Sequence, residues 1–350
     1  MIKIKLIEPH IHRNETTFRP FLFAQNQLKE IGIEFTDGDS YDYEWVGQAS
    51  IIDKKKSLKE SIEKGIEFIS KITGDYMIVD GQDATSLIGT VDVFRESKAK
   101  LFLKNSYLKD FDLYKKGWAN GRMYWGEGDY SVPDIDELKP KMKLAGCNWL
   151  STLQPQWLDY SQIEKTYDIS CMFGYPTKEP VYEHELCQTD YYDKHRKELL
   201  DILNKTDYKI AKLEDGERLP IDQYYQKMAS SKIILAPLGY GEMAPRDIES
   251  CIFGSILVKP DLGYIDTKPN IFYPEFGNEP ATYVNVEYNW SNLIDKIDFT
   301  LSNYDEMRPA MVEKMREKFK ELNKNENLAL HLYEIFSKLD GITHEGVNND

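Results

Sequence analysis

Arg246 and Glu249 stand three residues apart in the segment SKIILAPLGYGEMAPRDIESCIFGSILVKP, Ser231 to Pro260. On a helix that spacing puts both on one face. A guanidinium is a fixed bidentate donor for a phosphate, and a carboxylate can accept two hydrogen bonds from the vicinal hydroxyls of a ribose. The pair is therefore suited to hold a nucleoside phosphate. With Asp247 it also fits a solvated helix face carrying an internal ion pair, but the flanking sequence favours the first reading. Ile233 to Ala236 is a short apolar run ending at Pro237, as expected of a buried strand in a parallel sheet. Gly239 and Gly241 let the backbone turn sharply and approach a ligand, and Pro245 suits the first turn of a helix ending near Gly254. The N-terminus of that helix would offer unpaired N–H groups and partial positive charge to an anion.

Over this segment the chain resembles the C-terminal nucleotide-sugar site of GT-B glycosyltransferases, especially the retaining group-1 type and its exostosin-like relatives. A glycine-rich loop precedes a helix carrying a glutamate, followed by a small-residue turn and a strand. The resemblance implies that Glu249 binds the ribose of a donor nucleotide. The family's earlier glutamate falls on Gly241 here, and its role at the donor sugar passes to Glu242, one residue on. Arg246 matches a basic residue of some divergent members. Arg196, in DKHRKELL, matches by position an arginine that follows the first strand of the C-terminal domain. Arg196 and Lys212, the latter at a strand end, are candidates to neutralise a leaving diphosphate; Arg196 equally fits a solvated helix. Tyr240 would pack on the sugar or base, or serve the loop itself.

The first half of the chain would supply the acceptor side. Asp80, Gly81, Gln82 and Asp83 follow the apolar run Tyr76 to Val79, and a strand end opening into a helix is where an α/β sheet displays chemistry. In an inverting enzyme Asp83 or Asp80 would be the general base; in a retaining one they would orient the acceptor. Asp83 and Thr85 also read as caps of the following helix. His10 and His12 share one side of an extended chain and are acceptor-cleft candidates, lacking further partners at readable metal-ligand spacing. Asp37-Gly38-Asp39 resembles the D-x-D of metal-dependent GT-A glycosyltransferases, yet TDGDS is also an ordinary turn, and the phosphate-binding features sit late in the chain.

These residues need elements to position them. Strands at Ile2 to Ile7, Ile33 to Phe35, Tyr76 to Val79 and Ala99 to Leu103 alternate with helices at Phe21 to Ile31, Leu58 to Ile72 and Thr85 to Phe94, a pattern that implies a parallel sheet. Ser57 followed by Glu60 marks the start of the second helix. Periodicity fails from Tyr107 to Gln162. A second α/β repeat follows, with strands at Tyr167 to Phe173 and Tyr208 to Leu213, helices at Asp193 to Asn204 and Pro220 to Ala229, then the segment described first. Two charged amphipathic helices span Met307 to Leu339. The expected architecture is α/β, GT-B: an acceptor-binding Rossmann-like domain over 1–165, a nucleotide-sugar-binding one over 166–305, and C-terminal helices over 306–340 packing back towards the first.

The chain has 350 residues, 41% hydrophobic and 29% charged, enough for two cores in an ordinary globular protein. With no long apolar run and no signal-peptide pattern at MIKIKLIEPHIH, it reads as cytoplasmic, without an integral membrane segment. Cys147, Cys171, Cys187 and Cys251 form no C-x-x-C pair and read as reduced thiols. A net charge of −15 argues against nucleic acid as the main partner. The local lysine excess from Lys98 to Lys143 fits a solvated surface or, more sharply, a face for an anionic acceptor such as a phosphorylated glycan or DNA. The expected activity is transfer of a sugar from a nucleotide-diphosphate donor to a glycan or other hydroxyl acceptor, with catalytic candidates Asp83, Glu242 and Arg246 and no cofactor or metal required. Rival readings are a sugar-nucleotide epimerase of the same fold and a noncatalytic nucleotide-sugar or glycan-binding module.

Overall fold

The computed structural model of the chain describes residues 1–8, 17–53, 56–81, 84–116, 131–147, 162–174, 189–213, 219–239, 241–274 and 280–340. The strands among them are β1 Ile2–Ile7, β2 Ile33–Phe35, β3 Tyr43–Gly47, β4 Tyr76–Asp80, β5 Phe102–Lys104, β6 Ser106–Leu108, β7 Met142–Leu144, β8 Tyr167–Cys171, β9 Ile210–Lys212, β10 Ser231–Leu235, β11 Ile256–Pro260, β12 Ile265–Thr267 and β13 Val284–Val286. They form a six-stranded sheet in the order β2-β1-β3-β4-β5-β7 and a five-stranded sheet in the order β13-β11-β10-β8-β9. All neighbouring strands within these two sheets are parallel. Parallel strands need crossover helices, which cover both faces, and β4 and β11 are accordingly buried along their whole length.

Several elements depart from the sequence expectations. The helix expected from Phe21 to Ile31 is two short ones, Arg19–Phe23 and Gln25–Glu30, meeting at Ala24. The helix expected from Thr85 begins at Thr90, after Gly89 has taken a φ of 75°, so Thr85 does not cap it. Strand β3, not anticipated, occupies the sheet interior with Trp45 fully buried, and the stretch from Tyr107 that looked irregular contributes β6 and β7. Among the described residues of the lysine-rich segment several lysines are paired or buried rather than free on one cationic face. Lys100 pairs with Asp75 and Lys115 with Asp112 and Asp136, Lys104 is buried, and Lys109 donates to Gly263 O at 2.7 Å. Arg122 lies outside the described residues. Cys147, Cys171 and Cys251 are buried free thiols, and Cys187 is also outside the described set.

Just before β8 the Lys165 ammonium donates to Ala229 O, Phe253 O and Ser255 Oγ at 2.7, 2.7 and 2.9 Å. Of the two C-terminal helices only the last returns to the first sheet. The Tyr304–Leu322 helix buries Val312, Met315, Phe319 and Leu322 in the core shared with Ile248 and Cys251. The Asn325–Asp340 helix instead puts Leu328, Leu332 and Phe336 into the core around Phe21 and Trp45. There Phe336 stacks on Trp45, centroids 6.2 Å apart. The halves are further joined by an antiparallel ladder, Ile265 opposite Leu108 and Thr267 opposite Ser106, continued where Lys109 N donates to Tyr264 O at 2.9 Å. No helix among the described residues is long and apolar enough to cross a membrane.

Candidate active site

In the second sheet the chain runs one way from β8 to β9 and the other way from β10 to β11. Ligands of open α/β sheets bind in the crevice where strand order reverses, outside the carboxyl ends of the strands, which here lies between the ends of β8 and β10. Arg196, on the Thr189–Leu203 helix, spans its two lips, donating from Nε to Leu238 O at 3.2 Å and from Nη1 to Gly174 O at 2.6 Å. Gly239 lies close against this arginine: a Cβ there would come within 2.8 Å of Arg196 Nη2, so a larger residue would make the guanidinium shift. The Phe173 ring faces two guanidinium groups, that of Arg196 at 5.7 Å and that of Arg246 at 6.0 Å. Arg246 Nε is buried and donates to no group among the described residues. Two like charges over one ring attract its π face but repel each other, and an anion between them would relieve that repulsion.

The neighbouring aromatic packing holds Arg196 in place. His195 is buried and stacked against Tyr288 and Trp290 at 4.4 and 4.3 Å, and Trp290 Nε1 donates to His195 O at 3.0 Å. No local signal announces this stack, because its members are about ninety residues apart in sequence.

The Pro245–Ile252 helix is set by a buried ion pair. Asp247 Oδ2 accepts from Ala244 N at 2.9 Å, capping the helix, and from Lys259 Nζ at 2.6 Å. Lys259 Nζ also donates to Glu242 O at 2.9 Å, so one ammonium fixes both the helix start and the glycine loop. Burial pulls the Lys259 ammonium below its ordinary pKa, with Asp247 acting against that pull. This residue was missed in the sequence; a lysine inside the apolar strand ILVKP is the signal that could have found it.

On the less buried face of the same helix stand Arg246 and Glu249, as their spacing implies. Tyr224 Oη donates to Glu249 Oε2 at 3.0 Å. Burial raises the pKa of the Glu249 carboxyl, while the Tyr224 bond and the nearby Arg246 charge lower it.

The other expected residues divide into three groups. Glu242, expected at the donor sugar, is buried and turned across the cleft: Oε2 accepts from Thr85 N at 3.0 Å and Oε1 from Thr85 Oγ1 at 2.7 Å. Lys212, expected at the diphosphate, is not brought there; it is exposed on edge strand β9, two strands from β10, and donates to Asn204 Oδ1 at 3.1 Å. Asp80, expected towards the acceptor, is instead enclosed at the end of β4, where its Oδ2 accepts from Thr90 Oγ1 at 2.7 Å and lies 3.2 Å from the buried Lys104 Nζ. A carboxylate buried beside a lysine is stable only with that partner. Gly241 is buried beside Glu242, whereas Tyr240, Asp83, His10 and His12 lie outside the described residues. Asp37 and Asp39 are exposed, in a turn where Gly38 N donates to Thr36 Oγ1. Among the described residues no three His, Cys, Asp or Glu cluster as a metal site.

No protein-family model and no curated protein matches the sequence. Solved structures do match over nearly its full length. Sucrose-phosphate synthase from Thermosynechococcus elongatus is 12% identical with a TM-score of 0.52, covering 98% of this chain and 100% of that one. A glycosyltransferase from Rickettsia africae is 13% identical (TM-score 0.44; 98% and 99% covered), and Anabaena HepE, in complex with UDP, is 11% identical (TM-score 0.40; 97% and 100% covered). Together with two all-parallel sheets and a last helix that returns to the first of them, the likeness to the synthase shows that the chain has a GT-B, glycosyltransferase-like fold.

Proposed function

We propose that the chain is a glycosyltransferase that moves a sugar from a nucleotide-diphosphate donor to a hydroxyl acceptor in the cleft between its two halves. The observation that supports this reading best is the pair Arg196 and Arg246 over Phe173 at the strand-order reversal, with Arg246 Nε buried and unpaired among the described residues. A diphosphate carries its charge where both arginines and the N-terminus of the Pro245–Ile252 helix can meet it. Charge builds on that diphosphate as the sugar–phosphate bond breaks, so donors aimed at it stabilise the transition state more than the bound donor.

In this reading Glu249 accepts the ribose hydroxyls, Tyr240 packs on sugar or base, and Glu242 exchanges Thr85 for hydroxyls of the donor sugar. Asp83, three residues beyond the end of β4 in the sequence, is the candidate to take the acceptor proton, and the buried Asp80–Lys104 pair fixes the end of β4. His10 and His12 would line the acceptor side.

A thermal-shift screen of nucleoside diphosphates and their sugar conjugates, with and without Mn²⁺, tests the reading. A ligand at about a hundred times its Kd stabilises the fold by about 2.7 kcal/mol. No shift with any of them would refute it. An epimer formed from donor alone would favour an epimerase, binding without transfer or hydrolysis a noncatalytic module, and strict dependence on Mn²⁺ would require a metal step.

A further inference from the structure

The role of Tyr224 goes beyond that reading while resting on it. The Ile221–Ala229 helix presents Tyr224 in its first turn to the helix that carries Arg246 and Glu249. Its hydroxyl donates to Glu249 Oε2 at 3.0 Å, and the Arg246 guanidinium acts on the same hydroxyl. The phenol packs beside Tyr225, whose ring centroid lies 5.6 Å away, and the helix turn that carries it is closed by Tyr224 N donating to Pro220 O at 3.0 Å. One oxygen therefore stands between the group suited to a phosphate and the group suited to a diol.

This arrangement has a geometric consequence. The terminal torsion of a glutamate is broad, so an untethered carboxylate would turn freely and lose orientation on binding. Tyr224 occupies a lone pair of Oε2 and leaves Oε1 to accept from a ligand. Fixing the carboxylate relative to Arg246 in advance lowers the ordering cost of binding a ligand that needs both.

We propose that Tyr224 is a positioning residue for nucleotide recognition: by bonding Glu249 and facing Arg246 it fixes the spacing that selects a ribonucleoside diphosphate over its 2′-deoxy counterpart. The test is calorimetric titration of UDP, GDP, ADP and CDP, and of their 2′-deoxy forms, into the wild type, Tyr224→Phe, Glu249→Gln and the double variant. The wild type should prefer the ribo form of whichever nucleotide it binds. Tyr224→Phe, which keeps the ring, should weaken the ribo form about tenfold, the worth of one hydrogen bond, and barely change the deoxy form. The double variant should lose little more than Glu249→Gln alone, because the two residues act through one contact. An unchanged ribo-to-deoxy ratio in Tyr224→Phe, or equal weakening of both forms, would overturn the role of Tyr224 alone, whereas a wild type that binds nucleotides without preferring ribose would overturn the ribose role of Glu249 as well. A wild type that binds none of the nucleotides would overturn the nucleotide-sugar reading and this inference with it.

Discussion

Glu249 is a residue whose stability cost and proposed use point in opposite directions. Burial raises its pKa above the ordinary carboxyl value, so the folded protein holds this proton more tightly than the unfolded chain does. The stability it contributes is fully present below the unfolded pKa and is lost as pH rises through the folded one. Glu249→Gln should therefore be at least as stable as the wild type at neutral pH, lose that advantage in acid, and bind nucleotide more weakly. A pH series of urea melts checks the first two points. Lys259 and Asp247 behave conventionally: Lys259→Met leaves a buried carboxylate without its partner and should cost about 3–5 kcal/mol in denaturant unfolding, with Asp247→Asn added to it recovering part of the loss. Arg246 and Glu249 were legible because their spacing, the preceding glycines and the flanking strands are all local in sequence. Tyr224, Thr85 and Lys104 were not, because each acquires its role from a partner on another element.

At the scale of elements, the two strands and the helix between Ser231 and Pro260 appear as the sequence pattern implied, since an apolar run, a proline at the first helical turn and a glycine at its end signal locally. The helix start at Ser57 was equally legible: its Oγ accepts from Glu60 N at 3.3 Å, and Ser57→Ala should cost about 1 kcal/mol, read from the denaturation midpoint. Strand β3 was harder to see because Tyr43 to Gly47 is short and begins in a turn-rich, acidic stretch. Its strand character comes from pairing with β1 and β4 on both sides. The helix predicted from Thr85 was misplaced for a related reason. Residues 85 to 89 are held by tertiary contacts, Thr85 to Glu242 and Tyr114 Oη to Thr85 O at 2.8 Å, which local propensity does not report.

For the whole molecule, the two halves are joined by the β6–β12 ladder, the last helix and the Glu242–Thr85 bridge. Gly146 shows how closely the last helix seats: it takes a φ of 77°, and a Cβ there would lie 2.1 Å from His331 Cδ2. Gly146→Ala should therefore loosen the last helix, seen as faster amide exchange from 325 to 340, and unchanged exchange would contradict that. Thr85→Val removes one hydrogen bond to a buried carboxylate and should cost about 1.5–3 kcal/mol in denaturant unfolding; an unchanged midpoint would contradict that. The most direct test of the central claim is the affinity of wild type and Arg246→Ala for a nucleoside diphosphate, measured by calorimetry. The account predicts binding by the wild type and a loss of at least about tenfold in the variant, at unchanged fold stability. Equal affinity in the two proteins, or no binding to the wild type, would contradict it.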